Sequence, residues 1–257
     1  MDVDRRGFIK LAGIAIVGLL AAKPIFDVFS RTEAPKKAVE AEAPTQTKTK
    51  WGMAIKIANC KDGCTECIAA CNTIHNVPNI PDPKHEIKWI WDKPYEDVFP
   101  EQNSPFLADK LIGLPVLILC NHCDNPPCTK VCPTGATWKR ADGIVMMDYH
   151  RCIGCRYCMA GCPFGARSFN WVDPRPYIKE INPDFPTRTK GVVEKCNFCE
   201  ERLAKGLIPA CVEACPETLV FGNLDDPNSE IRKLLATNYS IQRKSELGTE
   251  PKVYYVI

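Results

Sequence analysis

Sixteen cysteines in 257 residues, arranged as four groups of four with none left over, restrict this chain more than any other property. The groups are Cys60-x3-Cys64-x2-Cys67-x3-Cys71, Cys120-x2-Cys123-x4-Cys128-x3-Cys132-Pro133, Cys152-x2-Cys155-x2-Cys158-x3-Cys162-Pro163 and Cys196-x2-Cys199-x11-Cys211-x3-Cys215-Pro216. Disulfides staple small exported scaffolds, whereas a chain of this length buries a core without them. Structural zinc takes paired C-x2-C knuckles set a dozen or more residues apart, often completed by His. The third group instead has the C-x2-C-x2-C-x3-C-P run that wraps iron–sulfur cubanes. Three thiolates on a tight loop hold one cluster, and the fourth, a helical turn further on, ligates another. Gly154 and Gly161 leave that wrapping unobstructed. The fourth group, taken alone, could pass for a zinc ribbon; its C-x3-C-P ending, shared with its neighbours, makes it the same device. Sixteen thiolates then complete four [4Fe–4S] sites.

The links between groups decide which of them share clusters. The 19 residues 133–151 read as a hairpin, Thr137–Arg140, a turn at Ala141-Asp142-Gly143, then Ile144–Met147. A hairpin between two such runs is the internal layout of a small two-cluster ferredoxin, so groups two and three form one module and groups one and four pair by exclusion. Giving the last cysteine of each group to its partner's cluster assigns every thiolate. Site A takes Cys60, Cys64, Cys67 and Cys215, and site B takes Cys196, Cys199, Cys211 and Cys71. Site C takes Cys120, Cys123, Cys128 and Cys162, and site D takes Cys152, Cys155, Cys158 and Cys132. The expected fold is α+β, with two pseudo-symmetric bacterial-ferredoxin-like two-cluster modules and inserted loops. The inner module covers about 114–170 and the outer about 51–72 with 191–222, with insertions at 72–119 and 163–195.

The insertions carry Trp89, Trp91 and Trp171 among many prolines, and these aromatics are expected to cover the clusters from water. Met53, Ile55 and Ile57 alternate as a strand entering the first cluster loop, and Leu219–Phe221 reads as another. Residues 225–257 hold a helix and a strand. Asp226-Pro227 supplies the expected N-cap and first position, with Ile231, Leu234 and Leu235 facing inward, and Val253–Ile257 adds the strand.

Residues 1–30 open with Asp4-Arg5-Arg6-Gly7-Phe8-Ile9-Lys10, a twin-arginine pattern, followed by the apolar run Leu11–Ala22. Cubanes are assembled in the cytoplasm, so an exported cluster protein must cross the membrane folded, and the twin-arginine route carries folded cargo. The expected location is the periplasmic face of the cytoplasmic membrane. Twelve apolar residues span ~18 Å against a hydrocarbon core of ~30 Å, and Pro24 makes a poor cleavage site of Ala21-Ala22-Lys23. Removal of the segment and its retention as an anchor both stay open, with retention favoured. Residues 31–50, rich in Ala, Pro, Thr, Lys and Glu, form a flexible linker to a folded body at 51–257.

A formal charge of +2 lacks the basic signature of a nucleic-acid binder, and 45% hydrophobic with 25% charged residues is ordinary globular composition. Four cubanes, each about 2− with its thiolates, turn that +2 into about −6. No Walker loop or dinucleotide fingerprint is present, and no thiol is spare for nucleophilic work. His75, His85, His122 and His150 read as backbone-bonded or surface residues. The chain therefore shows no catalytic constellation of its own.

The four groups in this order, with the wide gap from Cys199 to Cys211, resemble the four-cluster ferredoxin-like electron-transfer subunits that serve molybdopterin oxidoreductases, DMSO reductases and polysulfide reductases. The resemblance covers about residues 51–257 and extends to the pairing of groups one with four and two with three. With the leader and no C-terminal membrane helix, the pattern is most similar to the iron–sulfur subunits of Dsr-type, or Hdr-like menaquinol-oxidising, membrane complexes. That implies four [4Fe–4S] clusters relaying electrons between an integral membrane menaquinone-site subunit of the polysulfide-reductase (NrfD) type and a multihaem cytochrome c, in a complex associated with sulfate reduction and holding further Dsr-type subunits. The alternative is the iron–sulfur subunit of a periplasmic molybdopterin oxidoreductase, hydrogenase or formate dehydrogenase.

Overall fold

The computed structural model describes residues 49–257; the twin-arginine segment and the linker as far as residue 48 lie outside the described residues. The strands are β1 (Trp51–Lys56), β2 (Ile90–Pro94), β3 (Pro115–Leu119), β4 (Thr137–Lys139), β5 (Val145–Met147), β6 (Ser168–Phe169), β7 (Val193–Glu194), β8 (Leu219–Asn223), β9 (Ser240–Ile241) and β10 (Val253–Val256). The helices are α1 (Glu66–Ile74), α2 (Tyr95–Val98), α3 (Pro127–Lys130), α4 (Tyr157–Ala160), α5 (Glu200–Leu203), α6 (Ala210–Ala214) and α7 (Glu230–Thr237). The architecture is α+β, built of small sheets and short helices.

The largest sheet runs β8-β1-β10-β9. β1 pairs antiparallel with β8, Met53 opposite Phe221, and parallel with β10, Met53 opposite Val253. Successive side chains point to opposite faces, and both faces are covered. Met53, Ile55, Leu219, Val253 and Tyr255 enter the main core, while Ala54, Val220 and Val256 enter a second one closed by Leu224 and Ile231. All of Gly52 to Ile55 is therefore buried, beyond the alternating Met53 and Ile55 that mark the strand in the sequence. A Cβ on Gly52 would lie 2.5 Å from Leu224 Cδ1, so glycine lets that cover approach. The C-terminal strand is interior rather than an edge, because β9 pairs on its far side.

Three two-stranded ribbons complete the sheets: β2 with β3, β4 with β5 and β6 with β7. In the second, Trp138 lies opposite Met146, closing the hairpin between the two middle cysteine groups. The first lies wholly within the stretch 72–119, so that segment adds Trp89, Ile90, Tyr95, Phe99 and Leu117 to the main core.

Helix α7 begins later than the Asp226-Pro227 start expected from the sequence. Asp226 Oδ1 accepts the Asn228 N–H at 2.9 Å, closing a local turn. Ser229 is the N-cap, its Oγ accepting the Arg232 N–H. Ile231 packs fully buried on the sheet, flanked by Leu234 and Leu235. Among the described residues no helix is long and apolar enough to cross a membrane.

Candidate metal centres

Each cysteine group is a loop followed by a short helix, and the packing of those helices decides which thiols meet. Cys67 and Cys71 are four residues apart on α1, hence on one face. Helix α6 carries Cys211 and ends with Cys215 as its C-cap. α1 packs on α6. Cys60, Cys64, Cys67 and Cys215 line one cavity of about 200 Å³, walled on one side by Leu117. One turn further along the same face, Cys71 lies near Cys196, Cys199 and Cys211. Helices α3 and α4 pack in the same manner. Cys132, Cys152, Cys155 and Cys158 line a pocket there, with Ile153, Met147 and Val193, and Cys123 faces Cys120, Cys128 and Cys162. The cysteines named for A and for D thus line shared cavities, and those named for B and for C are near neighbours.

The groupings also adjoin one another, A next to B, B next to C and C next to D. Cys67 of A lies beside Cys211 of B, Cys196 of B beside Cys120 of C, and Cys128 of C beside Cys158 of D. Burial is deepest in the middle. The thiols of B are buried, as are Cys120, Cys123 and Cys128 of C, with Cys162 half-buried; A has three half-buried thiols and buried Cys67, and D has exposed Cys155, half-buried Cys132 and Cys152 and buried Cys158. The loop around Cys155 needs its glycine: Gly154 has a φ of +70°, and a Cβ there would lie 2.4 Å from the Gly191 carbonyl oxygen.

Sulfur is the dominant donor at each centre, and the surroundings fit a cationic iron–sulfur core. Burial, then the neighbouring thiols, pushes Cys60 up to about 11 and Cys67 and Cys123 up to about 12. The same causes hold Cys71 and Cys211 well above the ordinary thiol range. Four thiolates gathered in such a place require a compensating cation, which a bound metal core supplies. Backbone amides are already aimed at sulfur: Phe198 N–H donates to Cys196 Sγ and Ala210 N–H to Cys199 Sγ, both at 3.4 Å. At Cys132 burial is outweighed by the Thr134 hydroxyl and the backbone N–H groups of Thr137, Thr134 and Ala136, which lower its pKa.

Several buried polar residues beside the thiols carry no signal in the sequence. His75, expected as a bland residue, is 1% exposed; its Nε2 lies 2.9 Å from Glu201 Oε1 and its Nδ1 3.6 Å from Cys71 Sγ. Burial opposes its charge, but Cys199 and Glu201 prevail and raise it to about 9. Trp89 stacks on that ring at 4.5 Å and donates its indole N–H to Glu194 Oε2 at 3.0 Å. Arg188 pairs with the same carboxylate at 2.7 Å, both side chains fully buried. His122 fits the backbone-bonded reading, since its Nδ1 accepts the Val145 N–H at 3.0 Å while the ring stacks on Phe198. Burial, then Lys195, Lys252 and Arg167, holds it well below the ordinary imidazole range. His150 is exposed, and His85 sits beside Asp82 at 3.6 Å. Trp171 is 42% exposed and stacks under the Arg156 guanidinium.

Short helices presenting cysteines in quartets within a small-sheet α+β fold define a ferredoxin-like iron–sulfur protein. Residues 116–175 and 151–220 each match a family model described as a 4Fe-4S dicluster domain. The chain is 40% identical to Hdr-like menaquinol oxidoreductase iron-sulfur subunit 1 of Archaeoglobus fulgidus, over 98% of this chain and 97% of that one. It is 36% identical to the menaquinone reductase iron-sulfur cluster-binding subunit of Nitratidesulfovibrio vulgaris, over 81% of this chain and 89% of the relative. With protein NrfC of Escherichia coli the identity is 39%, over 76% of this chain and 75% of the relative. The chain belongs to this family of iron–sulfur electron-transfer subunits, and it carries [4Fe–4S] clusters, for four of which its sixteen cysteines suffice.

Proposed function

We propose that this chain conducts electrons through four [4Fe–4S] clusters held by the quartets of sites A to D, between a menaquinone-site membrane subunit and a multihaem cytochrome c or other redox subunit. One observation carries the reading: Cys215 shares a cavity with Cys60, Cys64 and Cys67, Cys132 shares one with Cys152, Cys155 and Cys158, and Cys71 and Cys162 each lie near three cysteines of another group, as a three-to-one division of ligands between neighbouring clusters would require. When bound, such a cluster accepts and releases single electrons. The chain's own part is to hold the thiolates, keep water from B and C, and leave A and D near the surface for exchange. The arrangement supports two pseudo-symmetric modules, α1 and α6 beside the β1–β8 pair and α3 and α4 beside the β4–β5 hairpin.

The names of the relatives from Archaeoglobus and Nitratidesulfovibrio favour menaquinol and menaquinone chemistry. The NrfD-type membrane subunit, the multihaem cytochrome c and further Dsr-type subunits of a sulfate-reduction complex are the partners in this reading. The twin-arginine pattern at Arg5-Arg6 supports export to the periplasmic face, with the N-terminal segment retained as an anchor. Purification under anoxic native conditions tests the whole reading. The expected preparation holds about sixteen irons per chain, four for each cluster, with a quinone-site membrane protein and a multihaem cytochrome. A co-purifying molybdopterin subunit would replace the proposed complex, and stoichiometric zinc with little iron would overturn the cluster assignment.

A further inference from the structure

Arg167 follows the third cysteine group and precedes β6, and it is only 5% exposed. Its Nη2 donates to Cys128 Sγ at 3.0 Å and to Thr137 Oγ1 at 2.9 Å, and its Nη1 lies 3.8 Å from Met147 Sδ. The guanidinium faces Cys158 as well, where burial raises the thiol and Arg167 opposes it. Among the described residues no carboxylate pairs with it; the groups that favour its charge are Cys128, Cys158 and Cys120. An unpaired guanidinium in such a place has a steep desolvation cost, which negative sulfur ligands offset. Arginine stays protonated under all relevant conditions, so this is a fixed cation at the junction of sites C and D. Lys195, 1% exposed, is a second buried basic residue near Cys120, bonded to the carbonyls of Val145 and Cys196 rather than to sulfur. Site A has the opposite neighbours, with Asp92 facing Cys60 and Glu66 within 4.8 Å of the Cys64 and Cys215 sulfurs.

We propose that Arg167 sets the reduction potential of the cluster held by Cys120, Cys123, Cys128 and Cys162, raising it above the value the same thiolates would give without the guanidinium. A nearby positive charge and a hydrogen bond to ligand sulfur both favour the reduced, more negative cluster. Carboxylates at A act in the reverse sense. The proposal rests on the quartet assignment given above, and the test separates the two.

The experiment uses the full chain purified without oxygen, in the wild type and in Arg167→Gln and Arg167→Lys, with iron content and an EPR-monitored redox titration of each. At the wild-type midpoint of one cluster, Arg167→Gln is expected to lower the ratio of reduced to oxidised cluster at least tenfold, a downward shift of about 59 mV for a one-electron couple. Arg167→Lys, which keeps the charge, is expected to restore most of that ratio, and two of the remaining couples stay in place. Four unmoved couples in Arg167→Gln would overturn the proposal, as would an equal shift in both variants. Loss of one cluster's iron from both variants would also overturn it and make Arg167 a strut. A wild type with fewer than about sixteen irons counts against the quartet assignment instead.

Discussion

Cys67 and Cys71 stand one turn apart on α1, so a single helical turn links two neighbouring centres. Cys71 faces Cys196, Cys199 and Cys211, whereas the other cysteines of its own group line a cavity with Cys215. Replacing Cys71 by Ala is therefore expected to remove the cluster of site B while sparing that of site A, a loss of up to four irons per chain. Iron analysis with EPR of the reduced protein checks this; loss of the A signal with retention of B would reverse the assignment. Lys252 supplies a second residue-scale expectation. Its side chain is 2% exposed and 3.8 Å from Asp124, and it donates to the Gly143 carbonyl. Burial lowers it to about 8 from 10.5, with Asp124 opposing and Lys139 and Lys50 assisting. Below about pH 8 the ammonium is charged in folded and unfolded chains alike, and folding carries the full cost of burying it. Between about 8 and 10.5 the unfolded chain binds the extra proton, so stability rises with pH. Relative to Lys252→Met, the wild type is expected to gain about 1–2 kcal/mol between pH 7.5 and pH 9.5. Apparent denaturation midpoints of the two proteins at both pH values measure it, and a constant difference would contradict it.

At the scale of elements, the cap of α7 separates local pattern from tertiary outcome. Asp226-Pro227 has the composition of a helix start, yet the Asp226 carboxylate is engaged by Asn228 N–H and the helix waits for Ser229. Ser229→Ala is expected to cost about 1 kcal/mol, the usual value of an N-cap hydroxyl, and Asp226→Ala clearly less. Thermal midpoints of the two variants decide between them. Strands were the more legible elements. β1, the β4–β5 hairpin, β8 and β10 fall where apolar runs and the Asp142-Gly143 turn place them, because those signals are local. The β2–β3 ribbon was not legible, since its strands are set far apart and are joined only by long-range pairing. Nor could the sequence distinguish His75, Arg167, Lys195 or the Arg188–Glu194 pair from surface polar residues. Their burial depends on which loops the cysteine-bearing helices draw together, and no periodicity encodes that.

For the whole molecule, the dominant electrostatic fact comes from what the thiols hold rather than from the ionisable side chains. The chain has 33 basic and 31 acidic residues and a formal charge of +2. Four oxidised clusters, each about 2− with its four thiolates, bring the holoprotein to about −6, and each electron accepted makes it more negative. The cations placed beside the clusters, Arg167 and Lys195, are already included in that sum and offset the field locally without changing the total. The sequence pI of about 7.8 should therefore describe only the metal-free chain. Native isoelectric focusing under anoxic conditions is expected to place the iron-loaded protein well below that value, and removal of iron by a chelator to return it towards about 7.8. Removal also strips the cation that holds four thiolates together at each site, so the same treatment is expected to open the loops around α1, α3, α4 and α6 to protease. The β8-β1-β10-β9 sheet packs on the main core by one face and on the Leu224–Ile231 core by the other, and should resist longest. Identical focusing positions before and after chelation, at full iron loss, would rule out the charge ascribed to the clusters.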